Sequence, residues 1–161
     1  MANDGGKIAL IEAAIVTMLE AATLSSETVF RTVDHWSWQL SSTEAFRRYS
    51  PFAFIHYAGM PETGFEGNHD LTQHLLFAVL IGTEISNADE SARIGAGSDA
   101  SSRQLGISRL RDIVISTLQH EQPTGVTGVD YLECLGETII VSEPNRCASE
   151  LRFRCDYVDQ F

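Results

Sequence analysis

Lysine is almost missing from this chain, and no basic run compensates for it. Lys7 is the only lysine, and the 161 residues hold 11 Lys and Arg against 22 Asp and Glu, for a formal net charge of −11. A protein that binds nucleic acid through phosphates needs a patch of Arg and Lys that releases counterions. The composition therefore argues against stable DNA or RNA binding, whereas an acidic surface suits a passage through which DNA slides without sticking.

Cysteine and long apolar runs are also scarce. The three cysteines, Cys134, Cys147 and Cys155, are odd in number and form no C-x-x-C pair, which disfavours both a disulfide framework and a zinc knuckle. No apolar stretch reaches the roughly 18 residues that span a bilayer, and the first residues lack the basic-then-apolar layout of a signal peptide. We therefore expect a protein of the reducing cytoplasm, neither secreted nor inserted in a membrane.

The remaining composition is that of a globular protein. Hydrophobic residues make up 43% of the chain and charged residues 20%, which is too apolar for a disordered tail. A chain of this length buries roughly 70% of its unfolded surface. We expect one domain over residues 1–161, with a single core.

The first third of the chain predicts a helix, a strand and a second, short helix. Apolar residues recur at helical spacing from Lys7 to Thr23, and β-branched and aromatic residues fill Thr28 to Leu40. Ser41-x-x-Glu44 has the form of a capping box, and Ser50-Pro51 must end the helix that it opens.

The middle third predicts a long hairpin followed by a helix. PFAFIHYAG and LTQHLLFAVLIGTEI read as two strands joined through a glycine-rich loop from Met60 to Asp70, and the second, nearly continuous apolar strand belongs at the centre of a sheet. Between Gly82 and Gln104, the stretch NADESARIGAGSDASS reads as a loop that could serve as an arm toward a neighbour. Ser101-x-x-Gln104 resembles a capping box before a helix that Pro123 limits.

Two strands close the chain. DYLECLGETIIVS is followed by ASELRFRCDYV, whose side chains alternate between an apolar and a charged face: Leu151, Phe153, Cys155 and Tyr157 against Glu150, Arg152, Arg154 and Asp156. The order of elements predicts an α+β fold, with a mostly antiparallel sheet of four to five strands, helices packed on one face, and long hairpin and loop arms.

Motifs for catalysis, cofactors and metals fail on context. Gly95-Ala-Gly97-Ser-Asp-Ala100 matches G-x-G-x-x-A, but no buried strand leads into it. His120-Glu121 cannot become H-E-x-x-H because Pro123 follows, and the trio His69, Asp70 and His74 fits a solvated loop and strand edge. Cys155 lies among apolar residues, where a thiol has a raised pKa and is a poor nucleophile. We expect no catalytic, cofactor-binding or metal-binding residue.

Five residues are candidates for contacts between subunits. Trp36 and Trp38 share a predicted strand face and form either a core slab or a contact surface. Phe65 lies in the long hairpin. Arg152 and Arg154 form a mixed-charge ladder with Glu150 and Asp156, as an ordinary solvated face or as partners of an adjacent subunit.

The element order from about Ile8 to Tyr157, together with the helix LGISRLRDIVISTL and the strand start G-E-T, resembles the tail terminator (tail completion) proteins of Mu-type contractile phages. The resemblance implies a non-enzymatic virion protein that forms a ring, expected to be a hexamer, on the head-proximal end of the tail. Its partners would be tail tube and sheath proteins and a neck protein, with DNA passing through the lumen.

Two other functions fit the residues. A head-completion or neck connector protein would also form a small ring, on the portal side. A cytoplasmic ligand-binding or enzymatic α+β domain would use a pocket under the Trp36 and Trp38 face.

Overall fold

A computed structural model describes residues 6–24, 26–37, 39–40, 42–60, 63–66, 70–85 and 105–160. Three helices and eight strands lie within these ranges. They are α1 (Gly6–Glu20), β1 (Thr23–Leu24), β2 (Glu27–Thr28), β3 (Thr32–His35), α2 (Thr43–Tyr49), β4 (Phe52–Gly59), β5 (Thr63–Glu66), β6 (Asp70–Glu84), α3 (Ile107–Leu118), β7 (Glu133–Ser142) and β8 (Arg146–Gln160).

The main sheet has the order β3-β4-β6-β8-β7, with β5 added beside β6, and β1 and β2 form a separate hairpin. β3 runs parallel to β4, and the other pairs are antiparallel. β6 is central, as its apolar run predicts, because a strand that is covered on both faces needs apolar residues on both. The α+β class and the mostly antiparallel sheet are confirmed.

The larger core lies between one face of the sheet and the two long helices. Each helix directs one apolar stripe toward that face, which fits a 3.6-residue repeat. The fully buried members of these stripes are Ile11, Ile15 and Leu19 of α1 and Leu110, Val114 and Leu118 of α3. Alternate residues of the three central strands complete the core, as the pattern of β8 predicts, with Leu151, Phe153 and Cys155 all fully buried.

The short helix α2 packs on the opposite face of the sheet. Phe46 of α2 contacts Phe52 and belongs to one cluster with Phe52 and Phe54. These two residues point away from the larger core because they alternate with Ala53 and Ile55. The expectation that helices occupy one face therefore holds for α1 and α3 and needs correction for α2. The physical reason is the apolar content of β4, whose residues are buried on both faces and so require a cover on each side.

Three boundaries differ from the sequence expectation. The strand expected from Thr28 to Leu40 is limited to β3, which ends at His35, and a separate two-residue strand, β2, includes Thr28. α2 begins after the N-cap Ser42, whose Oγ accepts a hydrogen bond from the backbone N–H of Ala45 at 3.3 Å. The N-cap is therefore Ser42 and not Ser41, and Ala45 has no side chain that could complete a capping box with it.

α3 begins later than the second capping box predicts. Its N-cap is Gly106, which has no side chain to donate or accept a capping bond, and its first residue is Ile107. Leu105 is buried in the core before the helix starts. Ser101 and Gln104 lie outside the described residues, as does the loop stretch expected between Gly82 and Gln104.

The hairpin between β4 and β6 contains an additional strand. β5 pairs antiparallel with the first residues of β6, from Thr63 opposite Gln73 to Glu66 opposite Asp70. The sequence expectation for this stretch is a plain loop, because its glycines and polar residues give no apolar alternation. The strand pairing is possible because β6 is 15 residues long and extends beyond β4.

Candidate subunit interface

β7 lies at the edge of the sheet and carries apolar side chains that solvent reaches. Leu135 is 50% exposed, Ile139 68% and Ile140 53%. β8 pairs with one side of this strand, and no strand in the described part of the chain pairs with the other. Natural edge strands usually carry charges, prolines or covers that prevent pairing with another chain. An apolar, open edge is therefore a candidate contact surface.

The first residues of β7 are covered on their outer side by the segment that follows α3. The backbone N–H of His120 donates to the carbonyl of Leu132 at 2.9 Å, and the N–H of Leu132 donates to the carbonyl of Glu121 at 2.9 Å. The N–H of Cys134 donates to Oε1 of Gln119 at 2.7 Å. We define the open edge as residues 135–142, because these bonds end at residue 134.

Two bulges explain the exposure of Leu135 and Ile140, whereas Ile139 is paired regularly with Ser149. Cys134 pairs with Phe153 and Gly136 with Arg152, so Leu135 is an extra residue in β7. A second shift, between Ile139 and Val141, makes Ile140 an extra residue in the same way. Bulged residues have no partner in the neighbouring strand and bend the edge. Both side chains therefore project where the pleat of a regular strand would not place them.

Trp36 lies beside an apolar groove on the α2 face of the sheet. Its ring centroid is 5.7 Å from that of Phe54, and the residue is half-buried. The groove encloses about 470 Å³ and runs between α2 and the end of β7. Its apolar lining consists of Trp36, Leu40, Phe46, Leu80, Ile140, Val141 and Ala148. Trp36 thus belongs partly to the core and partly to an accessible surface.

The groove ends at an ion cluster around the buried carboxylate of Glu84, which is not predicted from the sequence. The Glu84 side chain is 3% exposed, and its Oε1 lies 3.1 Å from Nη2 of Arg47 while Oε2 lies 3.9 Å from Nε of Arg146. The guanidinium of Arg146 also stacks over the ring of Phe46 at 5.1 Å. The cluster therefore fixes α2 to the end of the sheet. Its members are far apart in sequence, so no spacing reveals them.

Arg152 and Arg154 lie on the charged face of β8, as the alternation predicts, and have acidic partners within the same chain. Nε of Arg152 is 3.1 Å from Oε1 of Glu150, and Nε of Arg154 is 3.2 Å from Oδ1 of Asp156. Nη2 of Arg154 is also 3.4 Å from Oε2 of Glu133. Contact with another subunit through these arginines stays a prediction, and it would have to compete with these internal pairs.

Trp38 and Phe65 cannot be assigned to a surface. Trp38 lies outside the described residues. The backbone of Phe65 pairs with Leu71 in the β5–β6 hairpin, whereas the side chain of Phe65 is not among those described. Of the five candidate contact residues, the structure therefore positions the side chains of Trp36, Arg152 and Arg154, and it does not bring them to one patch of the open edge.

The side chains considered as nucleophile or metal ligand, Cys155 and His74, make structural contacts within the fold. Burial raises the pKa of the Cys155 thiol to about 12, with smaller contributions from the charges of Asp156 and Asp130. Nδ1 of His74 lies 2.8 Å from Oδ1 of Asp156, in the ion-pair ladder of the sheet. Among the residues that the structure describes, no three His, Cys, Asp or Glu side chains are grouped to hold a metal ion.

Comparison with known proteins adds no relative. No protein-family model matches the sequence, and no curated protein matches it. Within the described ranges, no helix has the length and apolar content needed to cross a membrane. The candidate interface therefore rests on the geometry of the open edge and the groove beside it.

Proposed function

We propose that this protein is a structural subunit of a contractile phage tail. In this proposal, copies of the chain form a ring that caps the head-proximal end of the tail tube and sheath and joins them to the neck. The protein is assembled in the bacterial host cytoplasm and acts in the virion without catalysis, cofactor or membrane contact. A hexamer is the expected ring, and its acidic surface would let DNA pass through the lumen without specific binding.

The open edge of β7 is the observation that carries the proposal. Ile139 and Ile140 are more than half exposed on an edge strand whose outer side is paired with no strand of the described residues, although the chain as a whole is strongly charged, at −11. Exposed apolar edges promote association with other chains. Selection for a monomer would favour charged residues at these positions, so the edge is better explained by a partner.

The order of the elements supports a tail terminator ring as the assembly that the protein forms. The resemblance to tail terminator proteins covers the chain from about Ile8 to Tyr157, and the order of helices and strands in the structure is compatible with it, with the aromatic strand reduced to β3. The fold by itself does not define a function. The ring and its place at the tail end therefore depend on the resemblance together with the open edge.

Deletion of the gene from its phage or prophage provides the test. Without the protein, we expect tails of uncontrolled length that do not attach to heads, and tube and sheath genes should lie beside the gene. A plasmid copy should restore particles, whereas an Ile139→Asp copy should not. Tails of normal length joined to heads in the deletion strain would refute the proposal. Normal tails that lack only heads would instead indicate the neck connector.

A ligand-binding domain is the competing function, and the groove beside Trp36 is the observation that favours it. The groove has the volume of a small-molecule site. A thermal-shift screen with nucleotides, metals and acyl compounds distinguishes the two functions, because a ligand at 100 times its dissociation constant adds about 2.7 kcal/mol of stability. A stabilising ligand displaced by Leu80→Trp would favour this function over assembly.

A further inference from the structure

The two edges of the main sheet are matched in direction. β3 is parallel to β4, and each step from β4 through β6 and β8 to β7 reverses the strand direction. β3 and β7 therefore run in opposite directions. If two copies lie side by side in the same orientation, β7 of one copy meets β3 of the other as an antiparallel pair, which is the more stable pairing.

The edges are also matched in level. Across the sheet, Val33 lies beside Ala53, Ala53 beside Ile81, Ile81 beside Ser149, and Ser149 beside Ile139. All five positions belong to one row of the sheet and to the face covered by α1 and α3. A neighbouring copy at the same height thus presents Ile139 directly opposite Val33, so the pairing needs no shift along the strands.

We propose that the protein binds a second copy of itself through these two edges, with β3 of one copy pairing antiparallel with residues 137–141 of β7 in the next. The inference deepens the proposed function, and it rests on the self-assembly proposed there. The two surfaces are different, so the contact is heterologous and leaves β3 of one end copy and β7 of the other for further copies. The backbone N–H of His35 donates to Oδ1 of Asp34 at 2.7 Å, and its carbonyl accepts from Nε2 of Gln39, so pairing at His35 would have to replace these two exposed side-chain bonds. Such contacts form a ring when the rotation closes and a filament when it does not.

The side chains at the paired positions are complementary. Val33 is half-buried and Ile139 is exposed, so their contact would cover apolar surface on one face of the joined sheet. His35 lies in the same row as Glu137, through Ile55, Val79 and Leu151. An imidazole of one copy would therefore lie opposite a carboxylate of the next. Within one chain, Nδ1 of His35 is 3.1 Å from Oε2 of Glu12, and Oε2 of Glu137 is 3.0 Å from Nε of Arg111, so this contact would add to or compete with those pairs.

The charges beyond the paired residues are also opposite. Arg31 directly precedes β3 and is exposed, while Glu143 directly follows β7 and is exposed. In an antiparallel pair at the same level, these two ends lie next to each other. Cationic residues are few in this chain, with 11 Lys and Arg in total. Because one of them, Arg31, lies at the end of β3 that would meet Glu143 of β7, this charge match favours a second copy over an unrelated acidic partner.

The length of the open edge, residues 135–142, suits β3 as the strand that pairs with it. β3 has four residues, and the first residues of β7 are already bonded to the segment after α3. A strand as short as β3 fits the open edge without displacing that segment. Pairing of β7 with β7 of another copy would instead place Glu137 and Glu143 of both chains close together, which like-charge repulsion opposes.

Cysteine cross-linking between copies tests the pairing. In a Cys134→Ser background, one chain carries Val33→Cys and a second chain carries Ile139→Cys, and the two are mixed and treated with a short bis-maleimide. We expect a heterodimer and neither homodimer. Tyr131→Cys replaces Ile139→Cys as the matched control, because Tyr131 is 59% exposed but precedes the covered start of β7, and it should give at least 10-fold less product.

Each remaining outcome decides a different part of the inference. Homodimers of the Ile139→Cys chain would refute the proposed edges in favour of β7 with β7. A protein that light scattering shows to be a ring, but that gives no heterodimer, would refute this contact while keeping the proposed function. A chain that carries both Val33→Cys and Ile139→Cys could give cross-linked products that increase in size without limit. This result would support the contact but refute the closed ring, because the copies would form a filament.

A charged substitution on the open edge gives a second readout. Ile139→Asp should raise the protein concentration at which half of the chains are assembled by at least 10-fold, while circular dichroism shows an unchanged fold. Tyr131→Asp should leave that concentration unchanged. Equal assembly of Ile139→Asp and the wild type, or a wild type that stays monomeric at several hundred micromolar, would overturn the inference.

Discussion

Replacing Gly82 with alanine should destabilise the fold, because the ring of Phe52 occupies the space that a side chain would need. A Cβ atom on Gly82 would lie 2.7 Å from Cε1 of Phe52 and closer still to Cζ. The two residues are direct neighbours in β6 and β4. Without this contact, alanine would be the better strand residue, since glycine weakens strand interiors.

Phe52 has little freedom to move away. It is fully buried, its ring stacks on Phe54 with centroids 4.8 Å apart, and it meets Phe46 edge-on at 5.1 Å. Overpacking of this kind costs about 1–3 kcal/mol, and the lower entropy of the unfolded alanine chain offsets about 0.4–1 kcal/mol. A net loss of about 1–2 kcal/mol corresponds to a melting temperature lower by about 2–8 °C for a chain of this size.

Urea unfolding of dilute protein, followed by circular dichroism, measures the effect. Phe52→Leu removes the ring atoms that conflict with the methyl group of Gly82→Ala, so the double variant should be more stable than the sum of the single changes by about 1 kcal/mol. Phe153→Leu is the control, because Phe153 is buried in the larger core on the other face of the sheet, and its effect should be additive. An unchanged Gly82→Ala protein, or additivity in both pairs, would refute the reasoning.

Three further predictions concern other parts of the structure. Glu84→Gln should lower the free energy of unfolding in urea by about 1 kcal/mol, because the exposed Arg47 would lose its charge-assisted hydrogen bond to the Glu84 carboxylate. Ser42→Ala should lower it by about 1 kcal/mol through loss of the N-cap bond of α2. With a pKa of about 12, Cys155 should resist Ellman's reagent at pH 8, where about one in 10⁴ such thiols is ionised, while the half-buried Cys134 reacts.

Each of these has a clear contrary result. Glu84→Gln at wild-type stability would mean that the ion cluster does not hold α2. Ser42→Thr keeps a hydroxyl and should retain most of the stability, so equal losses for Ala and Thr would contradict the capping role. Mass spectrometry of the labelled protein assigns the thiol: modification of Cys155 in folded protein at pH 8 would contradict its burial, and ionisation should favour labelling only as the pH approaches 12.

The sequence predicted the parts of the fold in which one local pattern decides the structure. The alternation from Glu150 to Tyr157 follows from the pleat of a strand with one buried face, and the structure confirms it. The uninterrupted apolar run of β6 indicated a central strand for a similar reason. Both predictions hold because the packing of the neighbouring elements agrees with the local sequence pattern.

The position of α2 required information that no local pattern contains. Its residues specify a short helix, but the side of the sheet that it covers depends on Phe52 and Phe54, which alternate with Ala53 and Ile55. Both sets are apolar, so the sequence shows two buried faces without showing which helix covers each. The start of α3 was misplaced because a capping box is a short and common pattern, whereas the actual N-cap, Gly106, has no side chain to recognise.

The open edge was invisible at the sequence level for a related reason. The run Ile139-Ile140-Val141 reads as an ordinary buried strand, and the bulges that turn Leu135 and Ile140 outward appear only when β7 is paired with β8. Trp36 and Trp38, by contrast, are candidate contact residues at the sequence level because they are large and aromatic. Trp36 is half-buried against Phe54, so its contact with another subunit stays a prediction.

Net charge and edge geometry together limit how copies of this chain could associate. At −11, two copies repel each other at distances up to the Debye length of about 10 Å at 0.1 M salt, so any stable contact must come from short-range burial and backbone pairing. The open edge supplies both. In the proposed pairing, its level and antiparallel match within the described residues is β3 at the far side of the same sheet; each added copy would then present an identical edge, and assembly would end only when the last copy reaches the first.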